Sequence, residues 1–463
     1  MSFLRKVGAW LDDRLGISDT LMPLARHLVP PGAKWSYVFG SATLFCLILQ
    51  VVTGVALTLL YQPTSESAYK SLEFITHQAV FGRLLRGIHY FGASGMIVLV
   101  GIHMLRVYIT ASYKFPREMS WISGVFLLFL TLAMGFTGQL LRWDSNGVWS
   151  AVVAAEQAGR VPIIGTYVAR LLLGGDTIGG QSLSRFYSYH TLLFPAMLFG
   201  LVGFHLYLVF RNGVSEPTKV GQLVDPKTYR KWYQDMLDKV GVPFWPYAAW
   251  RDVVFSVAVV MGIFTLALVF GPPELTQPPS PATIYTNPAP DWYMLPIFAL
   301  YALMPPAIES YLIIIAPLLT ILALLALPFI SNAGERSPLR RPWAVFGAGT
   351  VVTLVIALLV LGEQAPWSPK FDAKPLNTKL INSNNPQIVA GAGLFYNKGC
   401  IYCHLLDGHG GHRGPELTEV GRRLKTDELR IRIVNGGGNM PAYGGVISEK
   451  ELADVIAFLE TRK

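Results

Sequence analysis

Four histidines inside two apolar stretches constrain this 463-residue chain more than any other feature. His89 and His103 lie in RGIHYFGASGMIVLVGIHMLRVYIT, and His190 and His205 lie in RFYSYHTLLFPAMLFGLVGFHLYLVF, at spacings of 14 and 15 residues. In a helix rising about 1.5 Å and turning about 100° per residue, 14 residues climb roughly 21 Å and return to within about 40° of the same face. Ionisable side chains deep in a hydrophobic helix are costly and mark function. One such histidine is readily a hydrogen-bonded structural residue, but four in register are not explained that way. Two such helices side by side can grip two flat ligands, one above the other. Imidazoles above and below a porphyrin leave iron six-coordinate, which suits electron transfer and closes it to oxygen chemistry. The pattern predicts two non-covalent haems b.

The rest of the composition agrees with a membrane setting. The chain is 52% hydrophobic and 14% charged, which is unlike a large soluble enzyme. Seven stretches reach or approach the roughly 20 residues that cross a bilayer, at about 36–60, 87–110, 121–141, 187–210, 251–270, 311–330 and 343–362. The runs 163–173 and 294–304 are too short to span and read as surface helices. Residues 1–35 begin with amphipathic FLRKVGAWLDDRLG, which predicts an interfacial helix. The expected fold is an all-α polytopic bundle of seven transmembrane helices with a four-helix di-haem core.

Charge sets the orientation. The net charge is +9, yet no basic stripe or motif points to nucleic acid. Lys114, Arg117, the 211–250 loop and Arg336, Arg340 and Arg341 fall on one side of the seven-span topology, whereas 271–310 on the other side has no Lys or Arg. The positive-inside rule then makes the N-terminus cytoplasmic and exports the C-terminal segment. Because the second and fourth spans run the same way, His89 pairs with His190 near the outer side and His103 with His205 near the cytoplasmic side. Gly40 and Gly54 in the first span, and Gly124 and Gly138 in the third, repeat the 14-residue period. A missing side chain admits a flat macrocycle, although glycine also serves ordinary helix packing in membranes. Arg83, Arg86 and Arg185 lie just outside the outer histidines and Arg106 just past the inner one. Their two available roles are holding haem carboxylates and snorkelling to the interface.

After the seventh span, residues 366–385 read as a polar, Pro-containing linker, and 386–463 as a small all-α soluble domain. Within that domain CIYCH, residues 400–404, is the strongest single motif. Cys400 and Cys403 are spaced to add to haem vinyl groups, with His404 as iron ligand. Met440, in GGGNMPAYG, is the only methionine after the motif and the candidate second ligand of this covalent haem c. His409 and His412 are alternatives in a Gly-rich loop. With only three cysteines, no disulfide framework is available. Pro290, Asp291, Trp292 and Tyr293 open the apolar run in the 271–310 loop. A carboxylate beside apolar surface can take a proton from a hydroxyl; a turn before an interfacial helix is the plainer account of the same four residues.

These motifs together resemble the bc-type quinol oxidases. LVPPGAKWSYVFGSATLFCLILQVVTG and the two histidine segments place residues 1–212 with cytochrome b of the b6 form. PDWYMLPIFAL and SPLRRPWAVFGAGTVV place 213–365 with subunit IV of the b6f complex, and 386–463 is similar to a class I cytochrome c. The resemblance implies that quinol binds near the outer haem, that Asp291 accepts its proton and that Tyr293 shapes the pocket. It implies a separate Rieske iron–sulfur protein, other subunits, a homodimeric complex, and an outer cytochrome c or terminal oxidase as acceptor. The setting would be a bacterial inner membrane with proton translocation. Three departures stand out. Asp291 replaces the family's Glu, which shortens its reach. Arg142 in LLRWD stands where the b6 pattern has Pro. Val38 stands where b6 attaches an additional haem through Cys, so no covalent extra haem is expected. Two other readings are a di-haem anchor linking quinone to a partner dehydrogenase, and a membrane-tethered carrier without quinol chemistry.

Overall fold

The computed structural model describes residues 2–175, 178–279, 289–304, 306–364, 374–411, 414–436, 440 and 442–463. Among these, seven helices are long and apolar enough to cross a membrane: Phe39–Thr58, Gly82–Ile109, Glu118–Leu140, Gly180–Asn212, Ala249–Val269, Tyr311–Ile330 and Pro342–Gln364. They are the seven expected stretches. The second and fourth begin earlier than hydropathy suggests, because intrahelical hydrogen bonding continues through the polar turns holding Arg83, Arg86 and Arg185. The short runs form the helices Gly165–Leu173 and Leu295–Ala302.

The first, second, fourth and fifth spans share a buried core. Ala42, Cys46 and Leu47 meet Ile88, Met96 and Leu99, with Leu198, Ile263 and Ala267 closing it. Gly87 lets the second and fifth helices approach, since a Cβ there would lie 3.1 Å from the Ala267 side chain. The sixth span packs on the third, where the Trp121 indole donates to the Leu324 carbonyl at 2.6 Å. Large apolar side chains such as Ile48, Val52, Val257 and Met261 remain exposed around the bundle, as lipid-facing positions must.

The three basic loops assigned to one side do meet. Arg336 pairs with buried Glu216, Arg117 donates to the Tyr229 hydroxyl at 2.8 Å, and that hydroxyl donates to Glu216 at 2.6 Å. Two expectations need correction. The N-terminal segment forms two helices, Ser2–Leu15 and Ile17–Arg26, broken at Gly16, whose φ of 58° is left-handed. The stretch expected to be a linker through residue 385 contributes to the C-terminal domain: Thr378–Ile381 is a helical turn, and Leu376 and Ile381 are buried in that domain's core. Arg462 fastens it by donating to the carbonyls of Leu380 and Ile381 at 2.7 and 2.9 Å. In this domain Pro386–Asn397 crosses Glu449–Glu460, with Phe395 against Phe458. Gly391 makes the crossing possible, since a Cβ there would collide with the Asp454 carbonyl.

Candidate functional site

The bundle brings His89 and His190 opposite each other, with ring centroids 6.2 Å apart and planes at 76°. Two metal–nitrogen bonds of about 2 Å each, plus the distance from each nitrogen to its ring centre, total about 6 Å. The gap therefore fits a metal held between the two imidazoles. Hydroxyls fix which nitrogen points inward. Thr53 donates to the Leu49 carbonyl at 2.7 Å, and its oxygen lies 2.9 Å from His89 Nδ1. Thr137 donates to the Ala133 carbonyl at 2.9 Å and stands 3.2 Å from His190 Nδ1. Ser123 donates to the Ser120 carbonyl at 3.0 Å and stands 2.8 Å from His205 Nδ1. Each hydroxyl's single proton is thus committed one turn back, so its oxygen accepts from Nδ1–H and leaves Nε2 as the free lone pair. Replacing Ser123 by alanine is expected to weaken haem retention at the His103–His205 site by about 10-fold or more, read as haem lost from the purified chain on gel filtration.

The four periodic glycines each face a different histidine. An added Cβ would lie 3.1 Å from the His103 ring at Gly40, 3.2 Å from His89 at Gly54, 3.7 Å from His205 at Gly124 and 2.7 Å from His190 at Gly138. They therefore make room for the imidazoles first. Their assignment agrees with the expected pairing: Gly54 and Gly138 serve His89 and His190 at the PDWY end, and Gly40 and Gly124 serve His103 and His205 at the other.

The unequal spacing has a local cause. Residues Tyr189–Leu193, which include His190, form one π-helical turn inside the fourth span. A π turn closes one residue later than an α turn. It absorbs the fifteenth residue and returns His190 and His205 to one face.

A cavity of about 490 Å³ opens beside the His89–His190 pair, lined also by Gly54, Gly138, Arg86, Arg142, Asp291 and Tyr293. Its volume includes the space that a haem between the two imidazoles would take. The loop is pinned there to two helices and braced within itself. The Asp291 backbone N–H donates to Gln139 Oε1 at 3.0 Å, Tyr293 donates to Asp291 Oδ2 at 3.3 Å, and Trp292 donates to Ser94 at 3.1 Å. The Tyr293 ring lies on Gly135, where a Cβ would come within 3.0 Å. Pro290 precedes the turn and is half-buried. Burial pushes the Asp291 carboxyl above the ordinary range, opposed by the Arg142 guanidinium and the Tyr293 hydroxyl.

The arginines divide. Arg86 is buried on the cavity wall and donates to Thr76 and to the Pro273 carbonyl at 2.9 and 2.8 Å. Arg106 stacks on Tyr37 at 3.8 Å, and its buried Nε has no hydrogen-bond partner. Arg83 instead pairs with Glu274 at 3.0 Å, and Arg185 donates to the Leu171 carbonyl at 2.7 Å. Sequence reasoning missed Thr53, Ser123, Thr137, Gly135 and Gln139 as site residues. A signal for three of them existed, since Thr53, Ser123 and Thr137 each immediately precede a periodic glycine.

In the C-terminal domain Cys400 and Cys403 bound one helical turn, started at Gly399 with φ 82°, and His404 leaves it in extended conformation. Its Nδ1 lies 2.7 Å from the Pro415 carbonyl and donates to it, which again frees Nε2. Gly414 lies flat against the ring, leaving no space for a Cβ. Met440 is half-buried against the same core that receives Cys400. His409 is exposed and donates from Nδ1 to the Asp407 carbonyl at 2.8 Å; His412 lies outside the described residues.

The family profile for cytochrome b/b6/petB matches residues 24–213, that for cytochrome b(C-terminal)/b6/petD matches 279–378, and that for cytochrome c oxidase, cbb3-type, subunit III matches 387–459. The menaquinol:cytochrome c reductase cytochrome b subunit of Bacillus subtilis (strain 168) is 39% identical over 222 residues, covering 46% of this chain and 99% of that protein. Cytochrome b6 of Heliobacterium mobile is 40% identical over 210 residues, 45% of this chain and 99% of that protein. A chain of a solved hyperthermophilic respiratory Complex III superposes with a TM-score of 0.66 at 26% identity, covering 84% of this chain and 94% of that one. Histidine pairs, glycines and CxxCH site thus coincide with the matched segments, and the chain belongs to the cytochrome b/b6 family, joined in one polypeptide to a b6/petD C-terminal segment and a cytochrome c domain.

Proposed function

We propose that the chain is the cytochrome b/c subunit of a bacterial quinol:cytochrome c oxidoreductase and that quinol is oxidised in the cavity shared by Asp291 and the His89–His190 pair. That shared cavity is the observation that carries the reading. Its His89, His190, Gly54 and Gly138 side is the space a haem would fill, and its other side sets the Asp291 carboxylate and the Tyr293 hydroxyl next to that space, as proton-coupled oxidation of a quinol requires. The chain divides as a di-haem domain over 1–212, a three-span domain bearing PDWY over 213–365, and a cytochrome c domain that begins by residue 376, where Leu376 enters its core.

The residues would hold two haems b, on His89 with His190 and on His103 with His205, and one covalent haem c on Cys400, Cys403, His404 and Met440. Bound there, these groups supply one-electron relays, across the membrane for one quinol electron and, by way of a separate Rieske iron–sulfur protein, at the c domain for the other. The chain's own residues handle the proton. The quinol O–H bond breaks as an O–H bond forms on Asp291, and Tyr293, donating to Oδ2, holds that carboxylate toward the cavity. Arg86 and Arg106 are the favoured carboxylate partners for the two b haems. Arg86 is buried beside the His89–His190 pair, and Arg106, one turn past His103, keeps a buried Nε without a partner. Asp291 sits at the outer, proton-releasing side in a cytoplasmic membrane whose inner face carries the basic loops. Partners would be the Rieske protein, an outer cytochrome c or terminal oxidase, further subunits and a second copy of the complex.

The purified complex is expected to show two b haems per c haem in a pyridine haemochrome spectrum and quinol:cytochrome c reductase activity that disappears when the Rieske partner is removed. A second covalent haem contradicts the argument from Val38. Reduction of the c haem by a soluble one-electron donor but by no quinol favours the tethered-carrier reading, and b-haem reduction without any c-haem reduction favours the dehydrogenase anchor.

A further inference from the structure

Arg142 is a charged residue at this cavity that neither the histidine pairs nor PDWY accounts for. It sits just past the third span in LLRWD and lines the cavity that Asp291 lines. It is held hard in place. Nη2 donates to Asp144 Oδ2 at 2.7 Å and to the Glu274 carbonyl at 3.1 Å, while Nε is buried without a hydrogen-bond partner. Asp144 is itself fully buried, accepting from the backbone N–H of Gly147 and of Thr276, both at 2.9 Å. The turn at 139–145 is therefore stitched to the loop that carries PDWY, through Gln139 to Asp291 and through Asp144 to Thr276.

A guanidinium with a buried, unsatisfied N–H costs stability in a purely structural role. A neutral residue would close the same turn. Asp144 would still be held by two backbone donors, so the ion pair is not needed to satisfy it. What the arginine adds is charge. Arg86 is a second cation on the wall, kept for a haem carboxylate in the proposed function, and of the Arg142–Asp144 pair the guanidinium acts on Asp291 more strongly than the carboxylate does. That guanidinium lines the same apolar-walled space as Asp291, where charges are weakly screened.

We propose that Arg142 is a positioning residue for the quinol site: its fixed charge keeps Asp291 ionised, as the carboxylate that can take the quinol proton. This rests on the proposed reading that Asp291 is the proton acceptor. The titratable groups that line the cavity with Asp291 are Arg86, His89 and Tyr90 from the second span, Arg142 past the third, Tyr187 and His190 from the fourth, Tyr61 past the first and Tyr293 from its own loop, with Asp144 acting on Asp291 and Glu363 of the seventh span acting on Tyr90. Of these, Arg86 and Arg142 are permanent cations. The guanidinium of Arg142 draws the Asp291 carboxyl down against the burial that raises it.

The test is the pH profile of quinol:cytochrome c reduction by the assembled complex, with a soluble quinol as donor. Activity rises as Asp291 loses its proton, so this residue sets the acid limb. In Arg142→Gln the limb is expected to move to higher pH by about one unit, whereas Arg142→Lys keeps it near its original position. Asp144→Asn retains the helix cap but leaves Arg142 unneutralised, and the limb is expected to move to lower pH. An unmoved limb in Arg142→Gln overturns the proposal. If that variant fails to retain haem, Asp144→Asn decides, and an unmoved limb there overturns it equally. The underlying reading fails separately: an acid limb that survives Asp291→Asn means that Asp291 is not the acceptor.

Discussion

Replacing Gly138 by alanine is expected to cost the chain the haem at the His89–His190 site, whereas the same change at Gly124 leaves both b haems in place. The difference is a matter of distance. At Gly138 the new methyl would lie 2.7 Å from His190 Cε1 and 3.3 Å from Nδ1 and Nε2, but at Gly124 it would lie 3.7 Å from His205, an ordinary contact. A Cβ does not sit that close to a ring carbon, so the His190 ring must turn away. It cannot do so freely, because Nδ1 is tied to Thr137 on the residue before Gly138. Overpacking of this kind costs about 1–3 kcal/mol, which as lost haem affinity is roughly 5- to 150-fold. The haemochrome ratio of b to c is expected to fall from two to one in Gly138→Ala and to stay at two in Gly124→Ala. Equal retention in both would show that the glycines serve helix packing alone.

The second large effect is at Asp291. The Asp291→Asn change keeps the size of the side chain and an oxygen that can accept from Tyr293, so the loop stays pinned through Gln139 and Ser94. It removes only the capacity to accept a proton. A positioned general base contributes about 10²- to 10⁴-fold, so quinol-driven turnover is expected to fall by at least about 100-fold while the haem spectra are unchanged. In the native chain the carboxyl lies above the ordinary carboxylate range because it is buried. Turnover is therefore expected to fall as pH drops through that raised value, and the residual activity of the variant to lose this dependence. A variant that keeps both rate and pH dependence would place the proton acceptor elsewhere.

The features legible in the sequence were those written as residue type and period. Histidines repeating every 14 or 15 residues, glycines repeating every 14, CIYCH and PDWY all lie where side-chain chemistry alone makes them conspicuous. The 15-residue spacing was visible but its meaning was not, because a π turn at Tyr189–Leu193 is a backbone event with no residue of its own to announce it. The hydroxyls of Thr53, Ser123 and Thr137 looked like ordinary polar residues of membrane helices, which bond back to their own carbonyls. Only the packed bundle shows the histidine on the other side of each oxygen. The boundary of the C-terminal domain was misplaced for a related reason. Leu376 and Ile381 are isolated apolar residues in a polar stretch, and burial against helices distant in the chain leaves no local periodicity.

The arginines show the same limit from the other direction. Arg83, Arg86 and Arg185 are alike on paper, each just outside the outer histidines. In the fold, Glu274 takes Arg83, the Leu171 carbonyl takes Arg185, and only Arg86 is left on the cavity wall. Which long side chain reaches which partner is set by loops that come together from distant parts of the chain.

Rapid mixing of a soluble quinol with the oxidised complex tests most directly whether the cavity beside Asp291 is where quinol gives up its electrons. The prediction is that b and c haems are reduced together, one electron to each per quinol, and that both phases slow by at least about 100-fold in Asp291→Asn. Reduction of the c haem at an undiminished rate in that variant, with the b haems left oxidised, would contradict it.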